Sequence, residues 1–259
     1  MRLKLYQIDA FARSIFEGNP ACVCPLDNWI DNDIMQKIAN ENNLSETAFF
    51  VKEDDRYHIR WFTPTKEVDM CGHATLATAF VLFDILNYQK DEIIFNSKSG
   101  ILKISKDDKK IKMNFPVQEI KKCNTPDNLL NAFEIKPIEC YKSMDYILVF
   151  EEEADILNAK PNFELLKKID ARGVIITSKS REYDFINRFF APTYGIDEDP
   201  VTGSAFTQLV PYWSRVLNKT TFKAKQVSQR GGEVFCELKN DRVEISGYAK
   251  KYFEGVIEI

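Results

Sequence analysis

The spacing of hydrophobic positions changes several times along the chain, and the changes outline alternating strands and helices. Residues 3–11 and 20–24 are rich in β-branched and aromatic side chains and flank a Gly18-Asn19-Pro20 turn, which predicts two strands. Asp31 then precedes a stretch in which Ile34, Met35, Ile38 and Ala39 share one helical face. Asp31 is placed to be the N-cap, Ile30 and Met35 occupy the hydrophobic-staple positions, and Asn42-Asn43 ends the helix. Strand character returns over 45–51 and 57–62. From 72 to 86 the chain is apolar on nearly every side of a helix, so that helix has to be enclosed by other structure, as by a sheet wrapped round it.

The second half follows the same plan. Strands are predicted near 173–178 and 183–190, then a helix from Gly203 carrying Phe206, Leu209, Val210, Trp213, Val216 and Leu217, then four short strands within 220–259. Pro211 lies inside that helix and has no N–H for the Thr207 carbonyl, which predicts a kink. Patterning fades over 116–126, a candidate linker. The domains implied are 1–115 and 122–251, with a C-terminal strand at 252–259 as a candidate addition to the first.

An internal repeat supports two matching domains. Arg60-Trp61-Phe62-Thr63-Pro64-Thr65 recurs as Arg188-Phe189-Phe190-Ala191-Pro192-Thr193. Each copy continues through a Glu, Glu67 or Glu198, to a Gly five residues later that opens an apolar helix, as Gly72-His73-Ala74 and Gly203-Ser204-Ala205. Equivalent helix starts carry unpaired N–H groups and partial positive charge, so two of them facing one cleft would suit an anion, above all a carboxylate. On a single copy, Gly next to Ala reads first as tight packing, and the duplication with its polar neighbours turns the reading toward a ligand.

Composition narrows the class. With 259 residues, 44% hydrophobic and 29% charged, the chain is globular and large enough for two cores. The net charge of −4 and dispersed Lys and Arg argue against nucleic acid, and Lys106-Asp107-Asp108-Lys109-Lys110 reads as a solvated hairpin turn. Residues 1–9 alternate like a strand and lack the apolar core of a signal peptide, while the longest apolar run is interrupted at Asp84 and is too short to span a bilayer. A cytoplasmic protein without membrane partners is the expectation, with Cys22, Cys24, Cys71, Cys123, Cys140 and Cys236 as reduced thiols. Cys22 and Cys24 share one face of a strand, but no second Cys or His pair accompanies them, so no metal site is expected.

The candidate chemistry gathers at the helix starts: Cys71, His73, Thr202, Ser204 and the Glu198-Asp199 pair. His73 could donate to a substrate oxygen, whereas His58 in a strand reads as structural. Asp199 could accept from substrate or orient His73, or simply cap the helix. Glu46, in Asn43-Leu44-Ser45-Glu46-Thr47, enters an apolar strand, where a charged carboxylate is costly and proton exchange correspondingly easier; spacing alone favours a solvent-facing side chain.

Taken in order, Asp9-Ala10-Phe11, Gly18-Asn19-Pro20-Ala21, Asn43-Leu44-Ser45-Glu46-Thr47, Arg60-Trp61-Phe62-Thr63-Pro64, Glu67-Val68-Asp69-Met70-Cys71-Gly72-His73-Ala74-Thr75 and Glu198-Asp199-Pro200-Val201-Thr202-Gly203-Ser204-Ala205 resemble the PhzF-like (phenazine biosynthesis) isomerase family. The resemblance extends to Gln229-Arg230-Gly231-Gly232 and Val243-Glu244-Ile245-Ser246-Gly247. It implies an α+β fold of two pseudo-symmetric diaminopimelate-epimerase-like domains, each a curled, mostly antiparallel sheet or barrel round a central helix, with the active site in the cleft. It also implies an isomerase that needs no cofactor and acts on a small anionic substrate, and a homodimer. By resemblance Glu46 is the acid/base, His73 and Asp199 bind and polarise the substrate, and Ser45, Gly72, Gly203 and Ser204 hold it.

Two departures bear on the substrate. Cys71-Gly72-His73-Ala74 matches the family's uncharacterised members, whereas phenazine-pathway enzymes tend to have Gly-His-Pro here. Phe206 stands where that larger group often has His, which removes a polar group from the helix mouth and implies a more apolar or differently shaped substrate. The rival readings are a two-thiol racemase or epimerase, disfavoured because Thr202 occupies the position matching Cys71, and a binding protein that has lost turnover.

Overall fold

The computed structural model describes residues 1–259 and divides them into two compact units, 1–114 with 246–259, and 115–245. In the first unit the strands are β1 (Arg2–Ala10), β2 (Asn19–Leu26), β3 (Glu46–Glu53), β4 (Arg56–Phe62), β5 (Glu67–Val68), β6 (Glu92–Ser97), β7 (Gly100–Asp107) and β8 (Lys110–Pro116). Helix α1 (Asn32–Asn42) forms because its ends are closed locally: the Asp31 carboxylate accepts from the Asp33 N–H, and Asn43 takes the left-handed conformation at the other end. Met35, Ile38 and Ala39 turn inward onto Cys22, Cys24, Phe49 and Phe62, with Ile30 against the same cluster. Cys22 and Cys24 are thus core thiols, and burial pushes both up to about 12.

Helix α2 (Gly72–Phe80) is enclosed, with every residue from His73 to Ala79 buried. Its last turn widens: the Leu86 N–H reaches back five residues to the Val81 carbonyl at 2.9 Å. That turn keeps Val81, Leu82 and Phe83 inside while Asp84 stays near solvent and pairs with Lys106 at 2.8 Å. The expected hairpin turn at 106–110 is present between β7 and β8, with Asp108 left-handed. Gly18 in the first turn has φ +68, and a Cβ there would lie 2.1 Å from the Ala10 carbonyl oxygen, so only glycine fits.

The second unit holds β9 (Lys121–Lys122), β10 (Glu139–Lys142), β11 (Tyr146–Val149), β12 (Val174–Lys179), β13 (Phe185–Ala191), β14 (Ile196–Asp199), β15 (Thr221–Gln226), β16 (Gly232–Lys239) and β17 (Arg242–Gly247). Its helices are α3 (Asp127–Ala132), α4 (Glu153–Leu157), α5 (Phe163–Leu166) and α6 (Phe206–Leu217). The pairing order repeats that of the first unit. β2 runs parallel to β3, β3 antiparallel to β4, β4 antiparallel to β5 and parallel to β6. β11, β12, β13, β14 and β15 do the same in turn. The sequence repeat is therefore a repeat of topology, with α2 and α6 entering at equivalent points.

Two expectations change. The chain over 116–126 is not a free linker: the Val117 N–H binds the Asp241 carbonyl, β9 pairs with β10, and the Cys123 N–H binds the Cys140 carbonyl. The chain returns to the first unit at 246, and its C-terminal strand is longer than 252–259, pairing with β1 from Ala10 opposite Ala249 to Arg2 opposite Glu258. Helix α6 continues past Pro211 to Leu217, and the Thr207 carbonyl that Pro211 leaves without a donor accepts from the Gln118 N–H at 3.1 Å. Of its apolar residues, Val216 faces solvent.

Candidate active site

In the first unit the helix start of α2 and the first residue of β3 meet. Asn43 ends α1 in a left-handed turn, Ser45 follows half-buried, and Glu46 begins β3 opposite Ala21 of β2. Glu46 does not face solvent freely: its side chain is 14% exposed, and its Oε2 lies 3.1 Å from Nε2 of His73, itself 8% exposed. The two atoms are close but not aligned as a hydrogen bond, so both keep unused hydrogen-bonding capacity. On the other side of the ring, Nδ1 lies 3.5 Å from the Cys71 sulfur. Cys71 caps α2, and its carbonyl takes the Thr75 hydroxyl at 2.6 Å, which fixes the turn carrying His73.

Electrostatics inside this cluster favour a charged ring. Burial opposes charge on His73, yet the Cys71 sulfur and the Glu46 carboxylate overcome it and raise the ring well above its ordinary value. Burial and the nearby Glu46 side chain push the Cys71 thiol up to about 11. Cys71 and Glu46 thus flank the two ring nitrogens within the first unit. His58 is structural, with Nδ1 3.3 Å from Glu53 and its ring edge-on to Trp29.

In the second unit Asp199, Gly203 and Ser204 gather at the start of α6, which is preceded by a short 3-10 turn over 203–205. The Thr202 hydroxyl donates to Asp199 Oδ2. A buried amide, Gln226, holds this segment from below: it donates to the Asp199 carbonyl at 2.7 Å and accepts from the Thr202 N–H at 2.9 Å. Ser228 donates to the Pro200 carbonyl at 2.7 Å and accepts the Gly231 N–H at 3.0 Å, giving the Gln229-Arg230-Gly231-Gly232 motif a structural task. Phe206 is wholly buried against Phe185, so it packs the core and does not make the mouth more apolar.

Sequence reasoning missed the groups behind Ser204. Arg172 Nη1 donates to Ser204 Oγ at 2.9 Å, while Nε and Nη2 bind the two oxygens of Asp145 at 2.9 and 2.5 Å. Asp145 is fully buried and also accepts from Gln208 of α6 at 2.6 Å. Since Ser204 Oγ accepts from Arg172, the serine proton is left for another acceptor. Gly173 permits the arrangement, because a Cβ there would come 2.5 Å from the Phe189 ring over which Arg172 lies. The only sequence signal was Asp145 directly before the apolar run 146–150.

The repeat also has a matched scaffold. Arg60 clasps Glu67 through two hydrogen bonds of 2.8 and 2.9 Å and lies over Phe62. Arg188 clasps Glu198 at 2.7 and 2.9 Å and lies over Phe190. Each pair ties a central strand to the segment leading into its helix start. The pair holds Glu67 down to about 2, through the hydrogen bond from Arg60 and despite burial.

Two like-built α+β units, each with a buried helix start carrying polar groups, define the diaminopimelate-epimerase-like class of isomerase folds. A hydroxyproline epimerase from Agrobacterium vitis shares that fold with a TM-score of 0.61 at 10% identity, over 99% of this chain and 91% of its own. Residues 8–255 match the family described as phenazine biosynthesis-like protein, PhzC-PhzF, and the chain belongs to that family. An uncharacterised isomerase of Pseudomonas aeruginosa is 47% identical over the full length of both chains. The crystal structure of a PhzF-family protein from Enterococcus faecalis superposes with a TM-score of 0.98 at 43% identity, also over the whole of both chains. The protein is an isomerase of this family. No helix is long and apolar enough to cross a membrane.

Proposed function

We propose that the protein is a cofactor-independent isomerase that moves a proton between two carbons of a small carboxylate-bearing metabolite, with Glu46 as the single acid/base. The observation that carries this reading is the Glu46 carboxylate, 14% exposed, whose buried Oε2 lies 3.1 Å from His73 Nε2 without an aligned hydrogen-bond donor. A carboxylate so held can take a carbon-bound proton and, once neutral, return it, provided water stays out during its short life. His73, charged between Cys71 and Glu46, stabilises negative charge that develops on the substrate. Family resemblance assigns substrate binding and polarisation to Asp199, Gly203 and Ser204, and a holding role to Ser45 and Gly72. The Ser204 proton left free by Arg172 suits a carboxylate oxygen.

Two-thiol racemisation finds little support. Thr202 stands where the second thiol would be and spends its proton on Asp199, and Cys71 is protonated at neutral pH. The test of the main reading is incubation with small amino and hydroxy carboxylates in D2O, followed by mass spectrometry. Deuterium uptake at carbon that depends on Glu46 supports it, and uptake that survives Glu46→Gln refutes it.

Homodimerisation belongs to the same proposal. Along the C-terminal strand Tyr252, Phe253 and Val256 are about half exposed, an apolar surface a second copy would cover. Sedimentation at micromolar concentration should give twice the chain mass, and a monomer there would refute this part.

A further inference from the structure

Cys71 has no part in the proton transfer proposed above, yet it sits in the same buried cluster. The ligand atoms of Glu46, Cys71 and His73 all lie within 4.8 Å of one another. Two of those atoms, Glu46 Oε2 and His73 Nε2, are buried without an aligned hydrogen-bond partner, and His73 as a whole is 6% exposed. The cluster thus has one soft donor, one imidazole and one carboxylate, the mixed set that suits a borderline-soft divalent cation.

Taken one pair at a time, the distances match two ligands on one ion. With Zn–S near ~2.3 Å and Zn–N near ~2.0 Å, tetrahedral coordination sets sulfur and nitrogen roughly 3.5 Å apart. Cys71 Sγ and His73 Nδ1 are 3.5 Å apart. A carboxylate oxygen and an imidazole nitrogen on one such ion stand roughly 3.4 Å apart, and Glu46 Oε2 and His73 Nε2 are 3.1 Å apart. One ring nitrogen serves a given ion, so either the thiol or the carboxylate moves in by side-chain rotation to complete the set. The fourth position is left to water or to a bound anion, as in open zinc sites.

The geometry points to Glu46, Cys71 and His73 as a three-ligand site for a thiophilic divalent cation such as Zn2+ or Cd2+, which inhibits the enzyme by engaging the Glu46 carboxylate. Binding follows from the cluster alone; only the inhibition rests on the acid/base reading of Glu46. The cation displaces the thiol proton to solvent and forms the metal–sulfur bond with the resulting thiolate. Cys22 with Cys24, and Cys123 with Cys140 at 3.5 Å, are the competing thiol pairs.

Cd2+ is the probe, because its thiolate complexes have an ultraviolet charge-transfer band. The intact protein, reduced and stripped with chelator, is titrated with Cd2+ alongside Cys71→Ala, Glu46→Gln and Cys123→Ser variants. The expected result is one tight site in the wild type and in Cys123→Ser. Cys71→Ala should lose its band, and Glu46→Gln should bind at least roughly tenfold more weakly, a loss already typical when an outer-shell partner is removed. A tight Cd2+ band that survives Cys71→Ala, or one that disappears with Cys123→Ser, overturns the site. If instead Cd2+ binds as described while deuterium exchange proceeds at full rate, the site stands and the acid/base role of Glu46 falls.

Discussion

Replacing Asp145 with alanine tests whether the second helix start is built as described. Its carboxylate has no solvent exposure and accepts three charge-assisted or buried bonds, two from Arg172 and one from Gln208. Removing one partner of a buried ion pair costs about 3–5 kcal/mol, because the other charge is left uncompensated. Arg172 is 29% exposed and can recruit water, so the lower end applies, about 3 kcal/mol. At about 2–4 °C per kcal/mol for a domain of this size class, the melting midpoint should fall by about 6–12 °C. Asp145→Ala, Arg172→Met and the double variant are measured by urea unfolding. The double variant should be less damaged than the sum of the singles, with a coupling of about 2 kcal/mol. A loss below about 1 kcal/mol for Asp145→Ala, or coupling near zero, would refute the argument that Asp145 fixes Arg172 behind Ser204.

Stability should also depend on pH through His73. Its folded value is raised above the ordinary one near 6.5, so the stabilisation it brings is complete at pH below ~6.5 and fades as pH rises through the folded value. Denaturation midpoints compared from pH 6 upward should therefore fall more steeply for the wild type than for His73→Gln; parallel curves would contradict the charged ring. Gly18→Ala should destabilise by about 1–3 kcal/mol, since it combines a left-handed backbone with a Cβ 2.1 Å from a carbonyl oxygen. A thermal midpoint unchanged within error would show that the turn can rearrange.

What the sequence disclosed was what local chemistry encodes. Asp31, Ile30 and Asn43 close α1 within a few residues of itself, and the apolar surround of α2 announced its burial. The duplicated Arg and Glu positions were visible as letters, and their meaning as paired clamps follows from strand register. Contacts made at a distance were hidden. Gln118 rescues the Thr207 carbonyl, Asp145 meets Arg172 from 27 positions away, and the terminal strand aligns with β1 across the whole chain. Phe206 misled for the same reason: its place in the motif suggested a mouth residue, while packing against Phe185 draws it into the core.

The central claim is that one carboxylate carries the proton. On any compound that the wild type labels in D2O, Glu46→Gln should abolish deuterium incorporation while changing the compound's Kd by no more than about tenfold, or about 1.4 kcal/mol. Labelling by Glu46→Gln at the wild-type rate would contradict the account and return the proton transfer to another group.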